Sequence, residues 1–132
     1  MKSLNSFLKP KRKENLKFVL SDAFVGDDGK LIEWEMRQLS GAESLELQSE
    51  IEGKSYQEAM AIMVANSLVY PNLKDAELLK GLSEQQGKPI MKAVDALKLI
   101  TTDAELGTLI FKYSEYNALT TDFGEKVEEA KN

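Results

Sequence analysis

Two stretches of strict alternation, separated by an acidic turn between glycines, constrain this chain more than any other feature. Leu16, Phe18 and Leu20 alternate with Lys17, Val19 and Ser21, and Ile32, Trp34 and Met36 alternate with Glu33, Glu35 and Arg37. A period of two puts each apolar set on one face of a strand. Between them lies Gly26-Asp27-Asp28-Gly29. Asp-Gly between alternating segments is a strong hairpin signal, because the glycine accepts the positive φ of a tight turn. The pattern predicts an antiparallel β-hairpin over residues 15–38 with Phe18, Leu20, Ile32, Trp34 and Met36 on its inner face. Two strands alone are marginal in water, so that face must pack on something else.

The remainder reads as helices with marked starts. Ser40-Gly41-Ala42-Glu43, Ser55-Tyr56-Gln57-Glu58 and Thr102-Asp103-Ala104-Glu105 all have capping-box spacing. In such a box the hydroxyl satisfies an orphan backbone N–H while the Glu reaches back to the cap. With Gly53 and Gly87 as stops and Pro89 in a first turn, helices are expected near 41–52, 56–69, 74–82, 88–100 and 103–117, with a weaker one near 122–130. The helix at 56–69 has Tyr56, Met60, Met63, Val64 and Ser67 on one stripe, and Ala59, Ile62, Ala65 and Leu68 fill its other sides. A helix apolar nearly all round is the expected central, buried element.

The expected fold is therefore α+β and mainly helical: an N-terminal antiparallel β-hairpin packed on a bundle of about five helices. At 132 residues one domain is the natural expectation. It would span 15–132, as hairpin 15–38, helical bundle 41–117 and C-terminal tail 118–132, after a flexible or docking arm over 1–14.

Charge is unevenly placed. The net charge is −5, yet residues 1–17 hold Lys2, Lys9, Lys11, Arg12, Lys13 and Lys17 against Glu14, so this segment is +5 and the rest −10. An acidic body disfavours nucleic acid, whose phosphates want a positive face. A basic arm suits an acidic surface, including that of a neighbouring copy. Leu4, Phe7 and Leu8 sit at helical spacing ahead of Lys9-Pro10-Lys11-Arg12-Lys13. Pro10 pushes Lys9 out of the helical region, so the arm reads as one helical turn and then a stiff charged link. The longest apolar run is Ala59 to Ala65, far short of the ~18 residues of a membrane span. No signal-like apolar stretch follows the first lysine, and the expectation is a soluble, non-exported protein.

Missing residue types narrow the chemistry. Without His or Cys, a zinc site on thiolate or imidazole, a disulfide and a Ser-His-Asp or Cys-His apparatus all lack their parts. Gly81 to Pro89 has a faint likeness to a phosphate loop, but five residues separate its glycines, and Pro89 stands where a magnesium-binding hydroxyl is required. Asp28, Gly29 and Glu35 match three positions of a calcium loop, but Phe24 and Gly26 occupy positions that need oxygen ligands. Glu33 with Glu35, and Glu128 with Glu129, are carboxylate pairs on faces expected to be solvated, where nothing splits their pKa values. A helix-turn-helix over 88–117 would present Asp103, Glu105 and Glu115 to DNA against one Lys112, the wrong sign. No catalytic residues, cofactor or metal are expected.

The order of several segments resembles the XkdN-like tail assembly chaperones of long-tailed bacteriophages and prophages. The likeness runs from Leu4 with Phe7-Leu8, through Phe18 to Phe24, Asp27-Asp28-Gly29-Lys30, Glu33-Trp34 and Leu39 to Glu43. It continues in Val69-Tyr70-Pro71-Asn72-Leu73-Lys74-Asp75-Ala76-Glu77-Leu78 and ends in Val127 to Asn132. The chain departs at Ala23, where the family tends to be basic, and at Gln86-Gly87, where a Tyr-Gly step is common. The resemblance implies a non-catalytic protein that binds the tape measure protein in the bacterial host cytoplasm. It would keep that client soluble until the major tail protein polymerises around it, and be absent from the mature virion. The implied partners are thus the tape measure protein and the major tail protein; the charge split separately suits a second copy of the chain, and neither nucleic acid nor membrane is expected.

The resemblance fixes no site. Apolar residues near the chain ends, where a core needs them least, make two candidate partner-binding surfaces: Leu4, Phe7 and Leu8 in the arm, and Tyr113, Tyr116, Leu119 and Phe123 in the C-terminal region. The alternative function is a small regulatory or nucleic-acid-binding adaptor that uses the basic arm.

Overall fold

A computed structural model describes residues 4–119, and the expected hairpin is its first large feature. Strands β1 (Leu16–Val19) and β2 (Glu33–Met36) pair antiparallel with Leu16 opposite Met36 and Phe18 opposite Trp34. Phe18, Trp34 and Met36 are buried, and Leu20 and Ile32 are partly buried against the same core. Regular pairing stops at Val19 opposite Glu33 and resumes as a single bridge, Val25 to Leu31. Residues 20–24 therefore bulge against Ile32 alone. The bulge swings Phe24 edge-on to Trp34, with ring centres 5.1 Å apart. At the tip, Gly26 N–H donates to the Lys30 carbonyl at 2.8 Å, and Gly29 takes a φ of 77°.

A third strand was not expected. Helix α4 (Tyr56–Ser67) stops two residues before the predicted end of its 56–69 segment, and β3 (Leu68–Tyr70) pairs antiparallel with β2. The sheet order is β1-β2-β3. Pro71 bars its predecessor from helical geometry, and Leu68-Val69-Tyr70 suits a pleated surface. The switch also satisfies backbone at the edge of β2, where Arg37 N–H reaches the Ser67 carbonyl at 2.9 Å.

The helices follow their caps more closely than their apolar runs. The segment expected as one helix over 41–52 divides at Leu47 into α2 (Gly41–Glu46) and α3 (Gln48–Ile51), joined by tight three-residue hydrogen bonds. Ser40 and Thr102 form complete capping boxes with Glu43 and Glu105. Ser55 accepts the Glu58 N–H, but the Glu58 carboxylate turns to Lys98 instead of closing its box. Helix α5 (Ala76–Gln86) begins at an Asp75 cap and ends at Gly87 with φ 69°.

Helix α6 (Ala93–Ile100) starts four residues after Pro89, later than the predicted 88–100. Ser83 explains the delay. Its hydroxyl accepts the Ile90 N–H at 2.8 Å, which seats Ile90 in the core and holds the approach to α6 non-helical. Helix α7 (Asp103–Asn117) completes the body. Seven helices, counting a short α1 (Asn5–Leu8), and one small antiparallel sheet make the described residues α+β and mainly helical.

The core gathers on α4, as its apolar surface requires. Helix α4 packs against α3, α6 and α7, burying Ala61, Ile62, Val64 and Ala65 with Leu97 and Leu109. Tyr56, expected on the buried stripe, is instead 73% exposed, because the first turn of α4 projects past its neighbours. The weak helix near 122–130 lies outside the described residues.

Candidate functional site

The carboxylates most perturbed by their surroundings are all committed to holding the fold. Arg37 grips Glu43 with both ends of its guanidinium fork, at 2.9 and 2.6 Å, and Glu43 also accepts the Ser40 N–H at 2.9 Å. Those bonds, that from Arg37 foremost, pull the Glu43 pKa down to about 2 and raise that of Arg37. Glu58 is lowered by its bond from Lys98, and Glu105 by its bond from Ser21. Among the described residues, no group of three Asp or Glu side chains is arranged to hold a metal ion. Glu35, one of the two strand carboxylates, accepts the Asn15 side-chain amide at 2.8 Å.

An open groove of about 520 Å³ lies between the root of the arm, the exit of β2 and the end of α7. Arg12, Lys13, Asn15, Gln38 and Asn117 contribute to its polar wall. The groove exists because the arm is tied down at one point. Lys13 Nζ donates to the carbonyls of Tyr116 (2.8 Å), in the last turn of α7, and of its C-cap residue Ala118 (3.0 Å). A cation at a helix C-terminus also meets the negative end of the helix dipole. The same ammonium lies 5.8 Å from the centre of the Tyr116 ring. Tyr116 in turn donates its hydroxyl to the Glu14 carbonyl at 2.7 Å. The basic link, expected to be free, is thus clasped at Lys13 and Glu14.

Beyond the clasp the arm leaves the body. Leu4, Phe7 and Leu8 are 79%, 81% and 75% exposed, and α1 buries no residue. These three side chains are open to solvent.

The C-terminal candidates divide. Tyr116 is only 9% exposed and belongs to the core, which corrects its expected place on a free surface: the clasp needs its hydroxyl and ring inside. Tyr113 is partly buried against the core, and burial raises the pKa of both tyrosines. Leu119 is 79% exposed, just past the end of α7. Phe123 lies outside the described residues. The clasp brings the root of the arm, at Lys13, beside Ala118 and so next to Leu119 in the chain.

Exposed aromatics outside the candidate surfaces include Tyr56, Tyr70 and Phe111. Phe111 stands 64% exposed on the outer face of α7, with Ala104, Gly107, Thr108 and Ser114 around it at helical spacing. Its signal was available: residues 106, 109, 110 and 113 supply the inward stripe of α7, and Phe111 falls off it.

Comparisons with known proteins agree on the fold and the family. A family model described as the phage XkdN-like tail assembly chaperone protein matches residues 4–131. The crystal structure of a protein named yqbn superposes with a TM-score of 0.70 at 19% identity, over 91% of this chain and 99% of that one. At that identity the likeness speaks for the fold. No curated protein matches. No helix among the described residues is long and apolar enough to cross a membrane.

Proposed function

Because the chain belongs to the XkdN-like tail assembly chaperones of phages, we propose that it binds the tape measure protein and keeps it soluble during tail assembly, without catalysing a reaction. The observation that carries this reading is the arm: Leu4, Phe7 and Leu8 project from a short helix that buries none of its residues among those described. A soluble domain that leaves three large apolar side chains together in water presents an interaction surface. A long helical client exposes apolar stripes that aggregate, and such contacts cover them. The acidic body adds net charge to each complex, which favours solubility. Many weakly bound copies along one client would act together through avidity. The setting of this work is the bacterial host cytoplasm, and the chaperone leaves before the virion is complete, as the major tail protein replaces it. Leu119, beside the root of the arm, extends the contact surface.

Co-expression with a tape measure fragment tests the reading. The fragment is expected in the soluble fraction with the intact chaperone. It is expected in the pellet with a Leu4→Asp, Phe7→Asp, Leu8→Asp variant whose circular dichroism is unchanged. A fragment equally insoluble with and without the intact chaperone would overturn it.

A further inference from the structure

We infer that the arm of one copy docks on the outer face of α7 of a second copy. Both halves of the contact are present in each chain. The donor half is the arm, with three open apolar side chains followed by Lys9, Lys11 and Arg12. The acceptor half is the α7 face around Phe111, bordered by the exposed carboxylates of Asp103 and Glu115. None of these five charged groups forms a salt bridge among the described residues.

Charge selects the occupant. Residues 1–17 are +5 and the rest of the chain −10, so arm and body of different copies attract while body and body repel. Geometry supplies the path. The Lys13 clasp fixes the root of the arm at the C-terminal end of α7, and the arm departs from there into solvent without returning to its own body. The Phe111 face runs along α7 from Asp103 in its first turn to Glu115 near that same end. A second copy related by a twofold axis can therefore receive one arm and return its own, which makes the contact reciprocal and closed. Each half covers Leu4, Phe7 and Leu8 of one chain and Phe111 of the other.

The dimer covers the surface assigned above to the client, so the two contacts compete, and the association is measured without a client. The chain has no cysteine, so single thiols can be placed cleanly. Full-length Phe7→Cys and Phe111→Cys variants are mixed at equal concentration and oxidised with diamide. A mixed disulfide dimer is expected to exceed either self-linked dimer several-fold. It should fall at least about fivefold in 0.5 M salt, or when Lys9, Lys11 and Arg12 are all changed to Glu, because screening or reversal removes the attraction. In sedimentation equilibrium, Phe7→Asp and Phe111→Asp should each shift the wild-type dimer toward monomer, with a thermal midpoint that matches the wild type when both are measured as dilute monomer. Three results would each overturn the proposal: a wild-type chain monomeric at every concentration, a dimer indifferent to Phe111→Asp, or a Phe7→Cys, Phe111→Cys double variant that closes within one chain.

Discussion

Phe7 and Phe18 lie close in the chain, yet one is open to water and the other is in the core. Neighbouring sequence explains the contrast. Phe18 sits in an alternating strand whose register sets it opposite Trp34, so its burial is shared by a whole face. Phe7 sits on a single helical turn, too short to be stable alone, ahead of a proline and a run of cations. An apolar side chain is drawn inside when its neighbours repeat with the period of an element that packs. The arm has three such side chains and no such period beyond one turn. Its hydrophobicity is therefore surplus to the fold, which is the ground on which the arm is proposed as a contact surface.

The largest test of that contrast is in the hairpin. Trp34→Ala removes a fully buried ring and should lower unfolding free energy by about 3–5 kcal/mol, read from urea midpoints. A loss under 1 kcal/mol would mean that the hairpin face is not part of the core. Next in size is the clasp. Lys13→Met removes two hydrogen bonds from a cation to α7 carbonyls and should cost about 1 kcal/mol, since the ammonium is partly in water. Proteolysis should then cut the link at Lys9 to Arg12 several times faster, because its anchor has gone.

Acid probes the Arg37–Glu43 pair at the exit of β2. Glu43 is held at about 2, below the ordinary 4.5, so the folded chain resists a proton that the unfolded chain accepts. The stabilisation is complete above about 4.5 and is lost as pH falls through 2. Glu58 and Glu105 are lowered too and work in the same direction. Arg37→Gln should lower stability at pH 7 and flatten its decline between pH 4.5 and 2, measured by urea unfolding at several pH values. An unchanged acid profile would show that the pair is broken in solution.

These cases also show what the sequence can disclose. The hairpin, its inner face and two capping boxes were legible because each rests on local spacing. β3 was hidden: Leu68 and Val69 continue the apolar run of α4, and only the free edge of β2 makes them a strand. The late start of α6 depends on Ser83 reaching Ile90 across a turn, a contact with no local signature. At the candidate site, Leu4, Phe7 and Leu8 were legible as apolar residues without a periodic partner. Tyr116 was not, since its burial comes from Lys13 and Glu14, about a hundred positions away.

The smallest expected change in stability belongs to Phe7→Asp, and it separates the two regions most sharply. The side chain is four-fifths in water, on a helix that buries nothing, so its loss should alter unfolding free energy by less than about 0.5 kcal/mol. The same substitution at Phe18 would bury a charge and unfold the hairpin. If Phe7→Asp lowered the thermal midpoint by many degrees in dilute monomer, the arm would be packed on its own body, and its surface would be core. If the midpoint holds while co-expressed tape measure fragment turns insoluble, the residue acts on another chain and contributes nothing to its own fold.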